Sequence, residues 1–198
     1  MAHYTKEQIA DLKNDLLIKD SICGFPMSFK TTWGLFSPKA IDDGSVMLLK
    51  YLDIKPEDKC IDLGCGYGVL GLAMAKQANQ GQVIMVDKDY LAVDYANTNA
   101  KLNNLAHASA RLSNGFSDIP EKEFDVIVSN IPAKVGNELL YIFLNDAYER
   151  LKPGGTFYVV TITGLRNFMK TGFKEVFGNY KKHKQGPAYT VASATKPT

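Results

Sequence analysis

The sequence predicts an α/β protein: a doubly wound, mostly parallel seven-stranded sheet with an antiparallel C-terminal hairpin. Three observations predict it. Short β-rich segments alternate five times with amphipathic helical segments, the pattern of parallel strands joined by helical crossovers. A glycine cluster stands between the first of these strands and its helix. The last two β-rich stretches flank a Gly186-Pro187 turn and read as a hairpin.

The elements follow in order. Residues 5–19 carry Ile9, Leu12, Leu16 and Leu17 at helical spacing and predict one helix, ended by Gly24 and Pro26. Residues 1–30 are therefore expected to be a helical extension and residues 31–198 the main domain. Residues 24–38 are aromatic-rich and turn-rich and contain the only Trp, Trp33. Asp42 or Asp43 can cap a helix through Val46, Leu48 and Leu49 to Leu52. Residues 60–63, 82–86, 109–112, 124–129 and 156–163 read as strands. Residues 69–80, 89–103 and 136–151 read as the intervening helices, with Asp89 a cap and Pro153-Gly154-Gly155 a stop. Leu165, Phe168, Met169, Phe173, Val176 and Phe177 predict another amphipathic helix, ended by Gly178. Residues 180–185 and 189–195 form the hairpin.

Composition bounds the rest. A chain of 198 residues, 45% hydrophobic and 22% charged, suits one globular domain and excludes a disordered one. No run of about 18 uncharged apolar residues is present to span a membrane. The N-terminus lacks a signal pattern, and Cys23, Cys60 and Cys65 make neither a disulfide framework nor a CxxC clip. The expectation is a reduced, cytoplasmic setting with no membrane and no metal. The net charge of +2 hides an asymmetry: residues 149–198 hold 9 Lys and Arg against Glu149 and Glu175, and residues 1–148 hold 14 against 19 acids. A basic end on an acidic body is either a polyanion-facing surface or a solvated flank.

In open sheets of this class, ligands sit beyond the carboxyl ends of the strands. The first such loop is Asp62-Leu63-Gly64-Cys65-Gly66-Tyr67-Gly68. Its spacing is G-x-G-x-G, not the G-x-G-x-x-G of a pyrophosphate loop. Asp62 would repel a phosphate and suits a cationic amine, directly or through water. Asp87, 23 residues after Gly64, ends the second strand, where a carboxylate can accept both hydroxyls of a ribose. A structural tight turn and a polar helix cap are the plainer alternatives.

DLGCGYG followed by VDKD resembles the class I S-adenosylmethionine-dependent methyltransferases, which have a Rossmann-like fold. The resemblance covers roughly residues 31–198. It implies S-adenosylmethionine as cofactor. Gly64, Cys65, Gly66 and Gly68 would pass its methionine end, with Asp62 near the amino group. Asp87, beside Lys88, would hold the ribose, and Asn114 and Gly115 would flank the adenine. Asn130-Ile131-Pro132 resembles the Asn-Pro-Pro-aromatic motif of methyltransferases that modify amide or exocyclic amine nitrogens. There the Asn130 oxygen and the Ile131 carbonyl would aim the nitrogen lone pair at the methyl group, Pro132 would fix the loop, and Asn130 would also border the cofactor. Ile131 replaces the first Pro. Ala133 replaces the aromatic, so Phe36, Trp33 or Tyr189 would have to stack on the substrate.

Trp33 to Ser45, with Met47-Leu48-Leu49, resembles the segment that precedes the cofactor loop in the small-domain methyltransferases, which include bacterial ribosomal RNA guanine-N2 enzymes. It implies that Phe36, Asp42 and Gly44 lie over the cofactor and substrate mouth. The expected function is N-methylation of an exocyclic base amine, guanine N2, of ribosomal RNA. RNA would be held by Arg166, Lys170, Lys174, Lys181, Lys182, His183 and Lys184. Methylation of a protein glutamine amide or a small amine, and a non-catalytic cofactor- or RNA-binding module, are the alternatives.

Overall fold

A computed structural model describes residues 4–132 and 135–198. The elements in chain order are α1 (Lys6–Leu12), β1 (Leu16–Ile22), β2 (Phe25–Thr31), α2 (Asp43–Leu49), β3 (Lys59–Leu63), α3 (Val69–Gln77), β4 (Gln82–Asp87), α4 (Tyr90–Leu102), β5 (Ala108–Leu112), β6 (Phe124–Asn130), α5 (Asn137–Arg150), β7 (Leu151–Ile162), α6 (Arg166–Phe177), β8 (Lys181–Gln185) and β9 (Tyr189–Thr195). The main sheet has the order β5-β4-β3-β6-β7-β9-β8. β3 to β7 run parallel, and β9 returns antiparallel against β7 with β8 outside it. The chain winds from β3 out to β5 and comes back beside β3 as β6. Strand order therefore reverses between β3 and β6, which is where such sheets open a ligand crevice.

The period of two in the strands divides the interior into two layers. Ile61, Leu63, Ile84, Val86 and Ile127 face α5 and α6, where Leu140, Leu144, Phe173 and Phe177 are buried. Cys60, Val83, Met85, Val126 and Val128 face the other way, toward Leu48, Leu72, Met74 and Ala96 of α2, α3 and α4. The same alternation sends Asp62 under α3. The caps read from sequence form: Asp42 Oδ2 accepts the Ser45 N–H (3.0 Å) and Asp89 Oδ1 the Leu91 N–H (2.9 Å).

Two expectations are corrected. The helix expected over residues 5–19 ends at Leu12, and Leu16–Ile22 is a strand. Tertiary pairing outweighs the helical spacing there. Leu16↔Thr31 through Ile22↔Phe25 form a hairpin across Cys23 and Gly24, both at positive φ (51° and 83°), as a two-residue hairpin turn requires. This hairpin crosses the expected boundary at residue 30, so the extension is only partly helical. It grips the body both through the buried side chains of Ile22, Met27 and Phe29 and through polar groups. Asn103 Oδ1 accepts the Ser28 N–H (3.0 Å) while its Nδ2 donates to the Ser28 carbonyl (2.7 Å), and Asn99 does the same to Lys30 (2.6 and 3.0 Å). The two asparagines, one turn apart in the last turn and at the C-terminal cap of α4, stand in for a neighbouring strand.

The second correction is at residues 151–155. Pro153-Gly154-Gly155 ends α5 but lies within β7, which starts at Leu151. The Gly154 N–H donates to the Lys196 carbonyl and the Lys196 N–H to the Gly155 carbonyl (both 2.9 Å), so the C-terminal segment completes the ladder there.

Candidate active site

A cleft of about 520 Å³ opens at the carboxyl ends of β3, β4 and β6. Its floor is the glycine loop. Gly64, Gly66 and Gly68 have φ of 73°, 54° and 99°, conformations that a side chain would strain. At Gly64 and Gly66 a Cβ would meet nothing within 4 Å. The loop is tied to β4: the Gly64 and Cys65 N–H groups both donate to the Val86 carbonyl (2.8 and 3.0 Å). Asp87 fixes it from the side, with Oδ2 accepting the Gly66 N–H (2.9 Å) and Oδ1 the Asp89 N–H (3.0 Å). Each carboxylate oxygen keeps a further lone pair. Lys88 beside it is exposed and lines the same cleft.

Asp62 is fully buried behind the loop and is not among the cleft-lining residues. Its Oδ2 accepts the Gly71 N–H of α3 (2.8 Å), and Oδ1 has no partner among the described residues. Burial, reinforced by the Asp87 charge and opposed by the Gly71 N–H, pushes its pKa up to about 7. Cys65 lines the cleft, but burial holds its thiol well above the ordinary range, which leaves no reactive thiolate.

Asn130 ends β6 on the α2 side. Its Nδ2 donates to Asp42 Oδ2 (2.8 Å) and to Ser45 Oγ (3.0 Å). The Ile131 N–H donates to the Val160 carbonyl (3.0 Å), and no hydrogen bond to the Ile131 carbonyl occurs among the described residues. Ile131 is buried, Pro132 is exposed, and both line the cleft. Ala133, which stands where the related motif has an aromatic, lies outside the described residues. Of the stacking candidates, Phe36 (66% exposed) and Tyr189 line the cleft, whereas Trp33 lines a separate groove with Ile9, Leu12 and Leu16.

Asn114 and Gly115 form the third wall. Gly115 has φ 60°, and a Cβ there would sit 2.9 Å from the Phe143 ring. Phe143 and Leu139, one turn apart on α5, also line the cleft, as does Ser129, whose hydroxyl donates to the Leu63 carbonyl (2.9 Å). Sequence reasoning missed these three. Leu139 and Phe143 share a helical stripe with core residues, and only the cleft's position separates them. Tyr67 donates to the Ser37 carbonyl (3.3 Å), which ties residues 37–40 down over the glycine loop, and burial pushes its pKa up to about 12.

The basic end divides. Lys181, Lys182 and Lys184 are exposed along the edge strand β8, and Arg166, Lys170 and Lys174 are exposed on α6. None of these six makes an ion pair among the described residues. His183 turns inward instead. It lies against Tyr51 and Tyr158 (ring centroids 5.6 Å from each), and burial, with Lys181 nearby, lowers its pKa. Among the described residues no group of three metal-ligating side chains occurs and no helix is long and apolar enough to cross a membrane.

Residues 26–193 match the family model "Methyltransferase small domain". The chain is 33% identical over 175 residues to the ribosomal RNA small subunit methyltransferase C of Hamiltonella defensa, covering 85% of this chain and 50% of that protein. It is 28% identical over 160 residues to an uncharacterized protein of Bacillus subtilis, covering 80% of each. Among solved structures it resembles a T. thermophilus 16S rRNA N2 methyltransferase in complex with AdoMet and guanosine. The TM-score is 0.82 at 30% identity, covering 92% of this chain and 50% of the other. The chain thus spans half the length of the ribosomal RNA enzymes it matches here.

Proposed function

The chain belongs to the methyltransferase small-domain family, and from that premise we propose that it is an S-adenosylmethionine-dependent N-methyltransferase acting on guanine N2 of ribosomal RNA. The observation that carries this reading is Asn130. Both of its amide hydrogens are taken up by Asp42 and Ser45, so its oxygen is left to accept a hydrogen bond in the cleft.

The residues fit the cofactor. The cleft volume lies in the ordinary range for such ligands, and the glycine loop leaves open space where side chains would otherwise stand. Asp87 would accept the ribose hydroxyls with its remaining lone pairs. Gly64 to Gly68 would pass the methionine end, Asn114 and Gly115 the adenine, with Phe36 above. Asp62 would support the loop from behind. When bound, S-adenosylmethionine supplies a methyl group on a positively charged sulfonium.

An exocyclic amine is a poor nucleophile because its lone pair is delocalised into the ring. The Asn130 oxygen and the Ile131 carbonyl can accept its two hydrogens and turn the lone pair out of the ring plane. Tyr189 and Phe36 offer faces for the base. Holding reactants in an attack geometry contributes up to roughly 7–11 kcal/mol in ideal cases. The T. thermophilus relative, a 16S rRNA N2 methyltransferase in complex with AdoMet and guanosine, supports the guanine reading. The lysines of β8 and α6 would supply sequence-independent affinity for RNA phosphates.

Transfer of labelled methyl groups to ribosomal RNA, free nucleosides and a protein lysate tests the reading. Label in RNA guanine, lost in Asn130→Ala while cofactor affinity is kept, is the expected result. Label in protein alone would move the substrate to an amide, and an absence of cofactor binding would end the methyltransferase reading.

A further inference from the structure

The sequence Asp42-Asp43-Gly44-Ser45 does more than start α2. Asp42 Oδ2 receives the Ser45 N–H and Asn130 Nδ2, and Asp42 Oδ1 receives the Tyr189 hydroxyl (3.2 Å). Ser45 Oγ receives the second hydrogen bond from Asn130 Nδ2. Gly44 leaves room for this cluster: a Cβ there would stand 2.8 Å from Asp42 Oδ2 and 3.1 Å from the Tyr189 ring. One carboxylate therefore joins the ends of α2, β6 and β9 at the cleft.

We infer that Asp42 is a positioning residue for methyl transfer, which with Ser45 locks the Asn130 amide so that only its oxygen faces the substrate. This rests on the methyltransferase reading. An amide oxygen and an amide nitrogen are nearly the same size, so an unrestrained Asn130 would turn about its last bond and present either one. Presenting the NH₂ would set donor against donor at the substrate amine. A carboxylate only accepts hydrogen bonds. Turning Asn130 over would leave two oxygens 2.8 Å apart with no hydrogen between them, so Asp42 forbids that orientation. Asp42 is itself held by the Ser45 N–H and Tyr189. The hairpin carrying the exposed lysines therefore ends, at Tyr189, on the same carboxylate.

A polarity swap tests the lock. Asn130→Asp alone sets two carboxylates against each other, and kcat should fall at least a hundredfold. Adding Asp42→Asn restores a donor facing an acceptor and leaves a free oxygen in the cleft. The double variant should recover at least tenfold in kcat over the single, with the cofactor Kd unchanged. Asp42→Ala should lower kcat roughly ten- to hundredfold, the range for hydrogen bonds to charged groups, with little change in KM. Asp42 Oδ2 accepts both the Ser45 N–H and Asn130 Nδ2, so an Asp42→Asn side chain that offers its NH₂ to residue 130 gives up the Ser45 cap, a loss of stability that urea denaturation reads separately from kcat. A double variant that is fully folded under assay conditions and no better than Asn130→Asp in kcat would leave Asp42 only a helix cap and overturn the lock.

A readout independent of turnover separates the lock from the reaction. The Asn130 side-chain NH₂ resonances, identified by their loss in Asn130→Asp, should be shifted from free-amide values and exchange slowly. Both properties should be lost in Asp42→Ala and in Ser45→Ala. Free-amide shifts in the native protein would refute the lock whether or not the chain transfers methyl groups. A locked amide in a protein that transfers none would instead remove the methyltransferase reading, and with it any positioning role.

Discussion

Replacing Asp62 by Asn removes the charge buried beneath the glycine loop while keeping an oxygen for the Gly71 N–H. Burial lifts the Asp62 pKa from 3.8 in the unfolded chain to about 7. The folded protein thus holds a proton that the unfolded chain has already released. The stabilisation is complete below pH 3.8 and is lost as the pH rises through about 7. It amounts to about 4 kcal/mol in total, of which about 2 kcal/mol lies between pH 5.5 and pH 8. The Asn variant has no such titration, and any penalty from its buried NH₂ is the same at every pH. Urea denaturation across this window should show the variant gaining about 2 kcal/mol on the native protein as the pH rises. Every other ionisable group is common to both proteins and cancels in the difference. Curves that stay parallel to within about 0.5 kcal/mol would refute the buried-carboxyl argument.

Calorimetry with S-adenosylmethionine should show Asp87→Ala weakening binding at least tenfold, and unchanged affinity would remove its ribose role. Substituting Ala for Lys181, Lys182 and Lys184 together should reduce the slope of log affinity for single-stranded RNA against log salt by about 2, and an unchanged slope would take β8 out of the RNA surface. Gly71→Ala should cost about 1–3 kcal/mol by urea denaturation, because its Cβ would stand 2.3 Å from Met85 Cγ. A stability loss under about 0.5 kcal/mol there would mean that α3 shifts freely.

The body of the fold was legible because its signals are local. The strand at 60–63, the glycine cluster and the Asp89 cap each act within a few residues, and, apart from the early start of β7, each expected element from α2 to β9 occurs within a few residues of its place. The N-terminal hairpin was not legible. Leu16, Leu17 and Ile18 suit a helix as well as a strand, and the choice is made by pairing with residues 25–31 and by Asn99 and Asn103, roughly 70 residues away. The sequence points to Asp62, Asp87 and Asn130 as chemically unusual residues at strand ends. It does not say that Asp62 lies under α3, since that depends on which face of β3 receives the helix. Nor does it join Asp42 to Asn130, which are 88 residues apart and meet only when α2 lies across the end of β6.

Asn99 and Asn103 grasp the peptide groups of Ser28 and Lys30 and leave their side chains untouched. This clasp is blind to the side chains at positions 28 and 30, whereas Ile22, Met27 and Phe29 on the inner face are buried in the core. Apart from proline, whose missing N–H would break the clasp, Ser28 and Lys30 can be rewritten without loosening it. The appendage is keyed to its socket by those inner side chains and free to diversify at its outer surface while the crevice behind it keeps its shape.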